Sequence, residues 1–511
     1  MNSAAAAAAV PLDGPRHAVV TASVMMAALL QTLDNTIASV ALPRMQGSVS
    51  ASQDQMAWVL TSYIIAAAIL TPLSGWLAGR IGRRRLLLAS IAGFTVASVF
   101  CGAAQTLPEI VVARVMQGMC GAALMPMSQS VLLDINPSRI HGRTLATWLM
   151  AATLGPLIGP AIGGWITEHY SWRWVFYINV PGGIIAYLGL VSALPETQLR
   201  KSRFDFFGFA ALSVGIGALQ LVLDRGQLRD WFSSAEICIE AIVAGLAFYL
   251  FVVHMLTTTR ERFVSLALFR DRNFLAGNAF LFVTSTLMFS SMALLPPLLQ
   301  QLMNYPVVTA GMVTVPRGVG NMMGLIIAGR LVERTDGRYV IVMGCLLTAW
   351  SMWVMTGFDL QMDQGLVMWS GFSQGVGIAF AFAPAAASAF ATLAPALRND
   401  GTAIFSLTRN LSASTGISVM VMLVTRNSQI LHAALAEHVS RYSGFMRAHL
   451  PPGVPNVRSL QALDAAVTRQ AAMIAYIDDF KLMALLCLAA IPLVLLLRGG
   501  RPAAAPPVPV D

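Results

Sequence analysis

The stretch GWLAGRIGRRR, Gly75 to Arg85, separates two apolar runs, 56–79 and 86–105, and packs Arg80, Arg83, Arg84 and Arg85 into the short turn between them. Each run is long enough to cross a hydrocarbon core roughly 30 Å thick at about 1.5 Å per residue. A cationic turn between two such runs has the character of a loop on the cytoplasmic side of a membrane. Similar runs recur from Ala18 almost to Arg498, giving fourteen expected spans at 18–41, 56–79, 86–105, 109–133, 144–167, 175–195, 206–224, 234–256, 274–299, 309–331, 339–358, 365–393, 402–425 and 479–498.

Composition agrees. Of 511 residues 56% are hydrophobic and 11% are charged, against about 25% charged in soluble domains, and the mean hydropathy is +0.68. The net charge of +9 comes from short clusters between apolar runs. It forms no basic domain or stripe, so nucleic acid is not expected as a partner. The five cysteines, Cys101, Cys120, Cys238, Cys345 and Cys487, all fall in apolar runs without CxxC spacing, which excludes a disulfide framework or a zinc site. No basic segment or cleavage site precedes the first span, so that helix is expected to be retained. Most Lys and Arg outside the spans collect on one side, among them Arg200, Lys201, Arg203, Arg260, Arg262, Arg330, Arg334 and Arg338. Both termini are therefore expected in the cytoplasm.

The loop after the tenth span, GRLVERTDGR (Gly329 to Arg338), echoes GWLAGRIGRRR: a glycine is followed five residues later by an arginine (Arg80, Arg334), then by Gly82-Arg83 and Gly337-Arg338. Such an echo suits two related bundles around a central path. The arginines either bond the carbonyl end of a neighbouring helix or act only as topological anchors. The expected organisation is a tail (1–17), an N-terminal six-helix bundle (18–195), a linker with two extra spans (196–273), a C-terminal six-helix bundle (274–498) containing an outer segment 426–478, and a second tail (499–511). In the outer segment 427–440 and 459–477 have helical composition, and Leu450 to Pro455 breaks helix.

Taken in order, these features resemble the major facilitator superfamily, in particular its fourteen-span EmrB/QacA-type drug:proton antiporters. LDNTIASVALP (Leu33 to Pro43) is similar to that branch's first-helix signature, and GWLAGRIGRRR to the superfamily loop motif. Arg114, Gln117, Gly118 and Gly121 resemble its RxxQG motif. GPLIGPAIGG (Gly155 to Gly164) resembles its antiporter motif, followed by WRWVFYINVPGG (Trp172 to Gly183). The loop motif usually has an aspartate where this chain has Gly79, whereas the second loop keeps Glu333. Control of the inner gate is therefore expected to rest on the second half. The resemblance implies an all-α membrane protein with the major facilitator fold, two six-helix bundles plus two inserted helices. It also implies proton-driven export without a cofactor, a small lipophilic substrate, contact with membrane lipid, a bacterial inner-membrane location, and a periplasmic adaptor and outer-membrane channel as candidate partners.

Charges kept in hydrocarbon are costly and mark function by default. Asp34 lies about 10 Å and Arg114 about 8 Å from the outer end of their spans by the helical rise. In the family fold both helices line the N-terminal cavity, so a pair broken by protonation is expected there. The alternative is a structural cap. Gln117, Gln129, Arg317 and Arg409 are candidates for the substrate cavity, Arg317 either for an anionic group or for the carbonyl freed by Pro316, and Arg409 as a side chain that reaches the interface. Asn179, Gln300, Gln374 and Asn410 are further polar residues near spans, and Glu240 reads as a tolerated acid. Gly155, Gly159 and Gly163 form one flat stripe for close helix packing. Pro156 and Pro160 favour a bend beside it, and with Gly164 the segment is expected at the meeting of the bundles. The cytoplasmic loop candidates are Gly75, Arg80, Gly82, Arg83, Glu333 and Arg334.

Other classes fit less well. No HExxH, GxSxG or phosphate-binding loop occurs, and the seven histidines lie mostly in tails and loops, so neither an enzyme nor direct ATP drive is expected. An exporter of one metabolite or weak acid, and a non-transporting sensor, are the alternatives.

Overall fold

The computed structural model describes residues 14–49, 53–137, 140–196, 199, 204–258, 263–332, 334–394, 397–438 and 457–497. Glu333 lies outside the described residues, as do Arg200, Lys201, Arg203, Arg260, Arg262 and the Leu450 to Pro455 breaker. Within lipid a backbone must satisfy its own polar groups, which a chain of this composition does by coiling. Among the described residues every regular element is helical.

The N-terminal half comprises α1 (Gly14–Ser48), α2 (Gln53–Leu70), α3 (Leu73–Ile81), α4 (Arg83–Ala103), α5 (Leu107–Gly121), α6 (Leu124–Ile135), α7 (His141–His169), α8 (Trp174–Tyr177) and α9 (Asn179–Ala193). The inserted pair is α10 (Phe206–Arg225) and α11 (Ala235–Thr257). The C-terminal half comprises α12 (Ala267–Arg270), α13 (Arg272–Pro297), α14 (Val307–Val332), α15 (Gly337–Met355), α16 (Gln364–Ala391), α17 (Arg398–His438), α18 (Val457–Ala489) and α19 (Ile491–Leu496).

Among the described residues twelve helical stretches are long and apolar enough to cross a bilayer, and the bent pair Trp58–Leu70 and Leu73–Ile81, 56° apart, makes a thirteenth. The remaining expected span is α14, one continuous helix whose Pro316, Arg317, Asn321 and Arg330 dilute its apolar character. The bend in the second span falls at Thr71-Pro72, where proline removes a donor and the Thr71 hydroxyl bonds the Ala67 carbonyl at 2.6 Å. The sequence expectation differs most at the ends. α1 begins inside the expected tail, α17 runs beyond the expected span end at residue 425 to His438, and α18 starts at Val457 rather than near residue 479. The 41 residues of α17 make a rod of about 60 Å, twice the hydrocarbon thickness. Beyond the membrane it pairs with α18, where His432 and Asp464 meet at 3.1 Å.

Each half has its own apolar core, Phe94, Leu124 and Trp148 in the first and Phe280, Met352 and Phe480 in the second. A third cluster belongs to both, joining Ala68, Leu133 and Leu145 to Phe382, Phe390 and Phe405, with Leu212 and Ile216 of α10. It lies toward the face that carries Arg80, Arg83 and Arg398, called here the arginine-rich face.

Candidate functional site

Asp34 sits on the fourth turn from the far end of α1, Ser98 on α4, Arg114 and Gln117 one turn apart on α5, and Asn179 at the start of α9. All five are buried, Arg114 and Gln117 at 0% exposure and Asp34 at 1%. Arg114 Nη1 donates to Asp34 Oδ2 at 2.5 Å and to Gln117 Oε1 at 2.7 Å. Gln117 Nε2 and Asn179 Nδ2 donate to Asp34 Oδ1 at 2.8 and 2.7 Å. Both amides also reach the Ser98 hydroxyl, at 2.6 and 3.1 Å. Arg114 Nε donates to the Val59 carbonyl at 2.9 Å, and the guanidinium lies 4.3 Å from the centre of the Tyr63 ring. Burying two charges is unfavourable unless the remaining lone pairs and protons are bonded. Here the carboxylate takes three donors and the guanidinium an aromatic face.

A proton on Asp34 would turn one acceptor oxygen into a donor and cancel the charge that holds Arg114. A proton on Oδ2 would displace the Arg114 bond while Oδ1 still accepts from Gln117 and Asn179, so the network has two chemically distinct states. Gln117, expected to line the substrate cavity, is committed to this network instead: its RxxQG spacing puts it on the same face of α5 as Arg114. Ser98 and Tyr63 were not singled out from sequence, since a serine and a tyrosine in apolar runs carry no signal. Asn179 was noted only as a polar residue near a span.

The glycine stripe of α7 faces α1 rather than the opposite bundle. A Cβ on Gly155 would stand 2.6 Å from the Leu33 nitrogen, one on Gly159 would collide with the Thr36 hydroxyl, and one on Gly163 would lie 3.2 Å from Ile37. Thr36 donates to the Gly155 carbonyl at 3.2 Å. The stripe thus seats the turn of α1 that bears Asp34. Another face of α7 meets the C-terminal half, where Leu157 lies against Gly318. Pro156 and Pro160 remain inside one uninterrupted helix, and Gly164 has no neighbour within 4 Å of a built Cβ.

On the arginine-rich face Gly82 adopts φ 92°, a conformation that favours glycine, and starts α4 with Arg83 inward. Arg83 pairs with Asp134 at the end of α6, and Asp134 also takes Arg398 of α17 at 3.0 Å. Ser130 donates to Asn399 at 2.7 Å, and a Cβ on Gly75 would press 3.1 Å from the Asp400 Cα. Asp134 was missed in sequence, although an acid ending an apolar run beside a basic loop was a signal. Arg84 Nη2 donates to the Val191 carbonyl at the end of α9 at 2.7 Å, while Arg80 and Arg334 are exposed.

In the C-terminal half Arg317 donates to the Met288 carbonyl at 2.9 Å and the Ser291 hydroxyl at 2.8 Å, both on α13. The carbonyl is that of a neighbouring helix and not the one freed by Pro316. Arg409 is half-buried on α17, and among the described residues its guanidinium has neither a carboxylate nor a hydrogen-bond partner. Gln129 on α6 and Gln374 on α16 are fully buried, and among the described residues neither amide has a protein partner. Glu240 pairs with Arg225 at 3.6 Å. No group of three or more metal-ligating side chains occurs among the described residues.

Two helical bundles, an inserted helix pair and a buried carboxylate network in the first bundle have the architecture of a multi-pass membrane transporter. The sequence profile of the Major Facilitator Superfamily matches residues 24–417, and the chain belongs to that family. It is 36% identical to the multidrug export protein EmrB of Escherichia coli over 436 residues, covering 85% of each chain. It is 34% identical to the fatty acid resistance protein FarB of Neisseria gonorrhoeae over 494 residues, covering 96% of this chain and 97% of that one. Among solved structures it resembles the proton:xylose symporter XylE in fold, with TM-score 0.61, 16% identity, and coverage of 94% of this chain and 96% of that one.

Proposed function

We propose that this protein exports lipophilic compounds across a bacterial inner membrane in exchange for protons. Asp34 is the proton carrier and Arg114 its counter-charge. The observation that carries the reading is the fully buried pair, its carboxylate held by three donors, on the helix seated by the α7 glycine stripe. An ionisable group kept in such a place can be exchanged only when the surrounding bundle moves, and this links proton occupancy to the accessible face. The family and the printed name of the 36% identical relative support drug export. The excess of Lys and Arg on one face supports cytoplasmic termini. The Gly155, Gly159 and Gly163 stripe acts in gating by holding α1, and Asp134 with Arg83 and Arg398 latches the inner face. The long α17 and α18 rods supply a surface beyond the membrane for a periplasmic adaptor leading to an outer-membrane channel.

The test is efflux in inverted vesicles under an imposed pH gradient. Accumulation that collapses with a protonophore, and is absent in Asp34→Asn at normal membrane levels, supports the reading; gradient-independent accumulation removes it. A second reading, export of an amphipathic carboxylate, is favoured by Arg317 and Arg409, two guanidiniums in the C-terminal half without a described carboxylate, and by the name of the FarB relative. Comparing one lipophilic cation with one fatty acid in the same vesicles separates the two.

A further inference from the structure

The two seams between the bundles are built differently. On one, α7 touches α14 directly, with Leu157 on Gly318, Arg143 on Gly329 and Val332 on Gly142. On the other, α10 lies between α2 and α17. Its contacts with the two sides differ in kind. Toward α17, Gln220 Nε2 donates to Ser414 Oγ at 2.7 Å, and the Ser418 hydroxyl donates to the Leu223 carbonyl. Gln220 is 1% exposed, so its amide cannot trade that partner for water. Toward α2, Gly217 offers a flat surface on which Ile69 rests at ordinary contact distance, 3.4 Å from a built Cβ, and Arg225 lies 5.5 Å from the Trp58 ring.

The charged groups of the inserted pair are bonded mainly within the pair, although Asp224 Oδ2 and Glu240 Oε2 are buried without a hydrogen-bond partner among the described residues. Asp224 accepts from Gln220 at 2.9 Å, and Arg225 pairs with Glu236 at 2.5 Å and Glu240 at 3.6 Å. Thr61 of α2 also reaches the Asp224 carboxylate, a contact that separation from α2 would forfeit together with that of Arg225 on the Trp58 ring. The other face of the pair is left to lipid: Ile239, Ile242, Leu246 and Leu256 of α11 are each more than half exposed. At the arginine-rich end Phe204, just before α10, packs on Trp76 of α3 at 4.6 Å.

In lipid an abandoned hydrogen bond finds no replacement, whereas an apolar face slides at little cost. We infer that α10 belongs mechanically to the C-terminal bundle: it keeps its bonds to α17, slides along α2 as the bundles rock, and seals the α2/α17 seam against lipid throughout. The pivot falls at the Phe204 end. This inference rests on the alternating-access reading given above.

Two pairs of substitutions test it in the full chain, Gln220→Cys with Ser414→Cys and Ile69→Cys with Gly217→Cys, each joined by a short bis-methanethiosulfonate. The parent chain with its own cysteines, treated alike, is the control. Joining 220 to 414 is expected to leave dye efflux close to the unjoined level, and joining 69 to 217 to abolish it. Any other pattern overturns the inference. A second readout needs no transport. When Asp134→Asn releases the arginine-rich face, the yield of the 69–217 link is expected to fall severalfold while that of 220–414 is unchanged; equal behaviour of the two overturns the inference. If the unjoined parent moves no cargo, the transport reading fails while the yields still judge α10.

Discussion

The two halves keep their deep charges in opposite ways. In the N-terminal half Arg114 is enclosed with a carboxylate, two amides and a hydroxyl, all buried. In the C-terminal half Arg317 has only a carbonyl and a serine, and Arg409 has no described partner. A bonded pair can store two protonation states. A guanidinium without a counter-charge can only attract something that brings one. On the function proposed above, proton handling and cargo handling divide between the bundles, so variants in each should fail differently.

The largest effect is expected from Asp34→Asn, which leaves Arg114 buried without its anion. Breaking such a pair costs about 3–5 kcal/mol, so thermal unfolding in detergent should shift downward and pH-driven efflux should fall to background. Wild-type coupling in a folded Asp34→Asn protein would erase the distinction between the halves. Gly159→Val comes next. Its side chain meets Thr36, overpacking costs about 1–3 kcal/mol, and the displaced α1 turn should weaken proton coupling more than cargo affinity. Equal losses in both would show that the stripe is general packing.

Asp134→Asn removes a half-buried latch, 24% exposed. Between exposed and buried pairs a value of about 1 kcal/mol is expected, or roughly fivefold more of the form open at the arginine-rich face. Thiol labelling of Ser130→Cys should rise by that factor. The smallest effect is expected from Arg317→Gln: cation efflux unchanged and fatty-acid efflux severalfold lower. A loss of cation efflux instead would place the proton path in both halves.

The helical class, the order of the spans and the Asp34 and Arg114 partnership were legible because membrane cost acts locally, although α17 and α18 extend well beyond their expected spans. The helix-depth arithmetic brought those two to one level, and the family motifs named the right helices. Ser98, Tyr63 and Asp134 were not legible as partners, because a side chain's neighbours come from elements far apart in the chain.

Periodicity alone determined that Gly155, Gly159 and Gly163 share a face. It could not say which helix that face meets, and the packing turned it toward α1 instead of the other bundle. Likewise the sequence determined that α10 and α11 were additional, while only the assembled fold set α10 into the seam and bonded it to α17. Hydrophobic cost is paid residue by residue and can be read along a line. Which buried polar groups find each other depends on how separate helices pack, and that is settled only in three dimensions.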